Sequence, residues 1–446
     1  MTKQITVLGA GPVGSLLAIM LARRGHQVAL YDKRPDPRGA TVDHGRTINL
    51  AISERGWQAL GRVGLAHLVR HEAMPMFGRM VHDSSGQTHV QPYGKEQQAI
   101  YSVSRNGLNN KLLCQAEAEP NVTLQFGQLC TQVDLKRPAI YFTDIHTQAT
   151  SVVTPDLLIG ADGALSAVRA SLQRTGRFNY SQQFIDHGYK ELTIPAGPDG
   201  KPVLAADALH VWPRGHFMFI ALPNADGSFT GTLFFPFEGC PSFQSVQTRE
   251  EVNAFFATTF PDAFALMPNL ADEFLRSHAS PLVTISCYPW SYQGKVLLIG
   301  DASHAILPFY GQGLNAGLED CMVFDDTLNA LGENWPAVFD SFQQARYPNA
   351  QAIADLALCN FIEMRDKVSD PRFVLQKKIE AHLHASYPTH WTPVYTMIAF
   401  STAPYADALN VGTRQEKIMT EIMRLPNIES DWSTLDYGPI LLAHAE

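Results

Sequence analysis

Gly9, Gly11 and Gly14 form a G-x-G-x-x-G run, and an acid, Asp32, closes the same unit. Glycines at this spacing permit a tight turn, a close approach of backbone to a pyrophosphate, and close packing of helix on strand. An acid beyond them accepts hydrogen bonds from a ribose diol, so the chemistry written here is dinucleotide binding. Two more carboxylates end short apolar runs: Asp162 in LLIGADG, and Asp301 in VLLIGDASHAILPFYGQGLNAG. Asp301 is placed to hydrogen-bond a polyol such as the ribityl chain of a flavin. Gly311, Gly313 and Gly317 let a backbone and a helix N-terminus approach a flat, electron-accepting ring. Amides aimed at such a ring stabilise negative charge on its reduced form.

Elements must hold these residues in place. Residues 5–8 read as a buried parallel strand, Leu17, Met20 and Leu21 as the apolar face of a helix, and Gly25 as its stop. Residues 28–31 read as a second strand ending at Asp32, and the runs before Asp162 and Asp301 as two more. Ligands of an open α/β sheet gather at the carboxyl ends of strands, so these ends describe one long ligand across the sheet edge. The expected fold class is α/β: a Rossmann-like FAD-binding domain with an inserted, mainly antiparallel substrate sheet and a C-terminal helical region. The expected FAD-binding domain is discontinuous, at 1–72, 99–178 and 290–340. The substrate domain is expected at 73–98 and 179–289, and the helical region at 341–446. The clearest inserted strand is 216–222, where Met218, Ile220 and Leu222 alternate onto one face.

Composition excludes several classes. The chain has 446 residues, 45% hydrophobic and 17% charged, which suits a large globular interior. No apolar run approaches the roughly 18–20 residues that span a bilayer. The start, MTKQITVLGAG, lacks a signal-peptide layout, and the tail after about residue 410 has no hydrophobic segment, so no membrane anchor is expected. Six scattered cysteines without a CxxC pair suit reduced thiols in the cytoplasm. A net charge of −9 without a basic block argues against a nucleic-acid partner. His382 and His384 lack a supporting carboxylate or cysteine cluster, so no metal site is expected.

GAGPVG, GADGALSAVR and GDASHAILPFYGQGLNAGLED together resemble the adenylate, second and flavin-ring motifs of the aromatic hydroxylase family, the single-component FAD-dependent monooxygenases. GRTINLAISERG (45–56), YSVSRNGLN (101–109), YSQQFIDHGYKELTIP (180–195), HVWPRGHFMFIALPN (210–224) and CNFIEMRDKV (359–368) resemble the branch of that family acting on L-kynurenine. The resemblance implies non-covalent FAD, with NADPH and O2 as co-substrates, and hydroxylation through a flavin C4a-hydroperoxide, ortho to the amino group of an aniline ring. It asks for no general acid or base from the protein. The same chemistry on another aromatic acid or amino ketone is a second reading, and a flavin reductase or dehydrogenase a third. No second strand–GxGxxG–helix unit is present, which agrees with transient NADPH docking. Monomer and homodimer are both compatible with the sequence.

The residues carried over by this resemblance fall into two sets. Gly9, Gly11, Val13, Gly14, Asp32, Lys33, Arg34, Ala51, Arg105, Leu129, Asp162, Asp301, Gly311, Gly313, Leu314 and Asn315 are expected to bind FAD. Arg79 and Tyr93, with Asn360 and Tyr395, are expected to hold the substrate carboxylate. A planar guanidinium matches a carboxylate bidentately, with about 1.5–3 kcal/mol per charge-assisted bond. Leu209, Met218, Ile220, Leu222, Phe234, Pro308, Phe309 and Met364 are candidates for an apolar wall, although plain core would use the same residue types. Gln312 either bonds the substrate ketone or supports the flavin, and His304 is equally readable as structural or functional.

Overall fold

A computed structural model describes residues 1–39, 49–94, 97–367 and 370–444. Residues 45–48 of the GRTINLAISERG block, Lys95 and Glu96, and Val368 at the end of CNFIEMRDKV lie outside the described residues.

The first strand, Gln4–Leu8, is buried from Ile5 onward, as a central parallel strand requires. Its sheet has six strands in the spatial order Ser291–Tyr292, Val296–Leu298, Leu157–Gly160, Gln4–Leu8, Gln27–Tyr31, Val122–Gln125. All neighbours are parallel except the edge pair at Ser291–Tyr292. The chain leaves Gln4–Leu8 toward Gln27–Tyr31 and later returns on its other side with Leu157–Gly160. A crevice therefore opens at the carboxyl end of the first strand, where such sheets bind ligands.

The inserted sheet has seven strands, ordered Ser280–Tyr288, Asn179–Ile194, Phe229–Pro236, Met218–Pro223, Ala208–Pro213, Gly78–His82, Thr88–Pro92. Only Ala208–Pro213 and Gly78–His82 run parallel. Period-two alternation gives it two faces. Phe219, Phe229, Leu233 and Phe235 point to the back, where Phe256, Phe260 and Phe274 of the covering helices close a phenylalanine-rich core. The helix Arg249–Thr259 starts there on a capping box: the Thr248 side chain accepts from the Glu251 amide, and Glu251 accepts from the Thr248 amide. Met218, Ile220, Leu222 and Phe234 face the front.

A helix of 28 residues, Trp335–Ile362, crosses from the parallel sheet to the front of the inserted sheet and passes into a π-helical turn, Glu363–Lys367. The remaining helices, among them Pro371–Ser386 and Tyr405–Ile422, close a core of their own around Ile379, Leu383, Trp391, Ile418 and Tyr437.

Candidate active site

The Gly9 turn adopts φ +107°, and a Cβ on Gly14 would lie 1.9 Å from the Gly9 carbonyl oxygen, so helix and turn touch backbone to backbone. Among the described residues, a Cβ on Gly11 would meet no atom within 4 Å beyond its chain neighbours. No side chain caps the helix Pro12–Arg23 that begins there. Open space over a glycine at a helix N-terminus with uncapped amides suits a pyrophosphate. Asp32 sits beside it, its Oδ2 accepting from the Ala10 amide at 2.9 Å and its Oδ1 from the Arg34 amide at 2.9 Å. Burial pushes the Asp32 carboxyl up, but the Arg34 side chain and these amides outweigh it and leave it below the usual range. Lys33 and Arg34 are exposed on this turn. The Gln128 amide donates to the Asp32 carbonyl at 2.9 Å, which brings Leu129 alongside them.

The second and third strand ends are tied together. Asp162 Oδ2 accepts from the amides of Ala167, at 2.7 Å, and Val168, at 3.3 Å, while its buried Oδ1 has no partner. Arg169 donates to the carbonyls of Ala164 and, at 2.9 Å, Ala302. Asp301 opens the short helix Asp301–His304 and is exposed to solvent in a recess. Burial by the recess walls raises its carboxyl, while His304 and Arg105 pull the other way. Val13 fills the gap to the first helix: a Cβ on Gly317 would lie 2.6 Å from Val13 Cγ2, and one on Gly300 3.2 Å from Val13 Cγ1.

The stretch after Asp301 forms a 3₁₀ turn, Pro308–Tyr310, then Gly311 at φ +65°, then the helix Gly313–Leu331, whose N-terminus no side chain caps. Free amides at Gly313 and Leu314 provide the positive helix end expected at a flavin ring. Asn315 is fully committed to shaping this loop. Its Nδ2 donates to the carbonyls of Ala51 and Gly311, both at 2.8 Å, and its Oδ1 accepts from the Ser53 amide at 2.9 Å.

Beneath the loop lies a buried ion network that sequence reasoning missed. Arg55 donates to Glu319 and to the Ala403 carbonyl. Arg346 donates to Glu319 at 2.7 Å and to Asp320 at 2.6 Å, and His304 Nε2 lies 2.6 Å from Asp320. The signal was available in adjacent acids, Glu319 and Asp320, within an otherwise apolar helix turn; such charges need partners when buried. His304 is thereby held against Asp320, and Gln312 Oε1 accepts from the Tyr405 hydroxyl at 2.9 Å.

The front of the inserted sheet carries the other set. Arg79 is register partner to Leu209 in the parallel pair, so both project to this face. The rings of Tyr93 and Tyr395 stack at 4.8 Å, and the Arg79 guanidinium carbon lies 5.7 and 5.6 Å from their centres. Among the described residues, Arg79 Nε is buried without a hydrogen-bond partner. Burial opposes its charge, but Tyr93, Tyr395 and the Glu363 carboxylate outweigh that and raise its pKa. Burial also pushes the phenols of Tyr93 and Tyr395 up, so both remain protonated donors. Leu209 and Ile220 pack into two apolar clusters: one with Met218, Phe234, Phe309 and Met364, the other with Leu222, Tyr93 and Tyr395. The apolar wall thus runs from the cation to the flavin-ring loop. Asn360 is tied to that loop rather than to Arg79, its Nδ2 donating to the Phe309 carbonyl at 2.7 Å and contacting Met364 Sδ at 3.5 Å. Pro308 is exposed at the loop's edge.

A strand-end groove for FAD set against an apolar, cation-ended sheet face defines a flavoprotein of the aromatic-hydroxylase fold. The family described as FAD binding domain matches residues 2–357. A kynurenine 3-monooxygenase from Christiangramia forsetii is 46% identical over 432 residues, covering 97% of this chain and 96% of the relative. One from Dictyostelium discoideum is 41% identical, covering 95% and 94%. Among solved structures, p-nitrophenol 4-monooxygenase PnpA from Pseudomonas putida DLL-E4 superposes with a TM-score of 0.69 at 16% identity, over 87% of this chain and 95% of that one. 2-Methyl-3-hydroxypyridine-5-carboxylic acid oxygenase gives 0.67 at 17%, over 85% and 97%. This chain belongs to the kynurenine 3-monooxygenase family of FAD-dependent monooxygenases. Among the described residues, no helix is long and apolar enough to cross a membrane.

Proposed function

We propose that this protein hydroxylates L-kynurenine to 3-hydroxykynurenine, consuming NADPH and O2. One observation carries the reading: Arg79, whose Nε is buried and has no hydrogen-bond partner among the described residues, stands at one end of an apolar face whose other end is the flavin-ring loop. That face suits a molecule with a carboxylate at one end and an aromatic ring at the other. Bound FAD supplies the electron transfer from NADPH and the activation of O2. Arg79 pairs with the α-carboxylate, and the hydroxyls of Tyr93 and Tyr395 donate to it. Met218, Phe234 and Phe309 keep water from the ring, and Leu209 and Ile220 flank it. On the cofactor side, Asp32 bonds the adenosine ribose and the Gly11 helix end receives the pyrophosphate. Asp301 bonds the ribityl chain, and the amides of Gly313 and Leu314 face the ring's pyrimidine edge. The six cysteines form no disulfide among the described residues, which suits a cytoplasmic setting.

The test is product analysis after incubating the protein with FAD, NADPH, O2 and L-kynurenine. Hydroxykynurenine should form in proportion to NADPH consumed. NADPH consumption that yields hydrogen peroxide and leaves kynurenine unchanged overturns the reading.

A further inference from the structure

We propose that Tyr405, which lies beyond the matched FAD binding domain, is a positioning residue for the flavin-ring loop, holding Gln312 through its hydroxyl while its ring carries Arg55. Tyr405 is fully buried and is the first residue of the helix Tyr405–Ile422. Its hydroxyl donates to Gln312 Oε1 at 2.9 Å, and Ser53 Oγ reaches the same oxygen only at 3.4 Å. The Arg55 guanidinium carbon stands 4.0 Å from the Tyr405 ring centre, and Arg55 is also held by the Ala403 carbonyl and by Glu319 of the loop's own helix.

The turn before that helix reads Gly311-Gln312-Gly313, so Gln312 is its one side chain available to be gripped. Gln312 is also the N-cap residue of the helix, whose first amides no side chain satisfies. Asn315 anchors the loop from within the FAD domain; Tyr405 anchors it from the C-terminal helices. The field of the helix N-terminus falls off within its first turn, so small displacements of this loop change how strongly it stabilises charge on a nearby ring. The inference rests on placing the flavin ring against residues 311–315.

Tyr405→Phe removes the hydroxyl and keeps the ring under Arg55. In the full-length protein stripped of FAD, amide hydrogen exchange of the loop should quicken at Gly311, whose N–H donates to the Pro308 carbonyl, and over the helix turn 316–320, which begins with the Ala316 amide bonded to the Gln312 carbonyl. In the FAD-loaded protein, the flavin midpoint potential should become more negative and FAD should dissociate several-fold more readily. Gln312→Leu should show the same changes, and the Tyr405→Phe/Gln312→Leu double variant should add nothing to it, because both act through one contact. A lowered melting temperature with unchanged loop exchange and potential assigns Tyr405 to the core and overturns the proposal, as do additive effects in the double variant. If Tyr405→Phe does not fold, Gln312→Met carries the test with the tyrosine in place; unchanged loop exchange there overturns it too. Faster exchange with an unchanged potential indicts the ring's placement rather than the grip on the loop.

Discussion

The Asp320 carboxylate accepts a hydrogen bond from the Gly300 amide at 3.0 Å. Gly300 directly precedes Asp301, so an anion on the flavin-ring helix determines where the proposed ribityl partner stands. The same Oδ2 meets His304 at 2.6 Å, and Oδ1 takes a bond from Arg346 at 2.6 Å. Burial raises the Asp320 carboxyl, but His304 and Arg346 outweigh it and hold it below the usual carboxylate range. Removing one member of a buried ion pair costs about 3–5 kcal/mol because the other is left uncompensated. Asp320→Asn should therefore lower the melting temperature by several degrees and loosen FAD together with it. Scanning calorimetry that finds wild-type melting rejects this role.

The two glycines Gly11 and Gly14 should separate fold from cofactor. Gly14→Ala drives a methyl into the Gly9 carbonyl and should destabilise the protein even without FAD. Gly11 has φ −78°, which alanine adopts freely, and among the described residues its Cβ would meet no atom within 4 Å beyond its chain neighbours. Gly11→Ala should thus melt like wild type without FAD yet bind FAD at least about tenfold more weakly, a difference of about 1.4 kcal/mol. Equal FAD affinity in a fluorescence titration would place the pyrophosphate elsewhere.

Acid sensitivity should arise inside the inserted sheet. His82 Nδ1 lies 2.7 Å from Asp262 and its Nε2 2.8 Å from His210 Nδ1, while His210 Nε2 faces the Ala205 carbonyl at 2.8 Å. Burial, aided by His82, pushes His210 down to about 4 against the support of Ala205, Asp207 and Asp262. An unfolded histidine titrates near 6.5, so between these values the unfolded chain binds the extra proton. The stability tied to His210 is complete above about 6.5 and is lost as pH falls toward about 4. At about 1.4 kcal/mol per unit it amounts to at most about 3.5 kcal/mol. Asp262 is held at about 2: burial raises it, but His82 and Trp212 lower it further. Its contribution is lost only at more acid pH. The melting temperature should fall from pH 7 to 5, and less so in His210→Gln; parallel slopes for the two proteins contradict this origin.

Much of the groove was legible because its signals are local. Asp32, Asp162 and Asp301 each follow an apolar run directly, and the alternation of Met218, Ile220 and Leu222 is carried by one strand. What stayed hidden depends on distant pairing. Arg79 shares its face with Leu209 only because Gly78–His82 and Ala208–Pro213 pair in parallel, a register that neither segment states alone. Arg55, Arg346 and Tyr405, which gather around Glu319, come from three other helices, and their types alone read as ordinary surface charges and a core tyrosine. The partners of Gln312 and His304, Tyr405 and Asp320, were not readable locally because they are set by the packing of the helices that carry them.

Arg79 gives the sharpest test of substrate recognition. Its guanidinium is enclosed by Tyr93 and Tyr395 and stays charged, with Nε unpartnered among the described residues. Arg79→Ala should leave FAD bound, since Arg79 belongs to the inserted sheet and not to the strand-end groove. The kynurenine KM should rise at least about tenfold, because one or two charge-assisted bonds of about 1.5–3 kcal/mol each are lost. Arg79→Lys should recover only part of this, as an ammonium cannot form the bidentate fork. A decarboxylated kynurenine analogue separates anchor from wall: it offers no carboxylate, so wild type and Arg79→Ala should handle it alike. Equal kynurenine KM values in wild type and variant would remove Arg79 from the binding site. An equal loss for both compounds would instead make Arg79 a shaper of the Tyr93–Tyr395 wall.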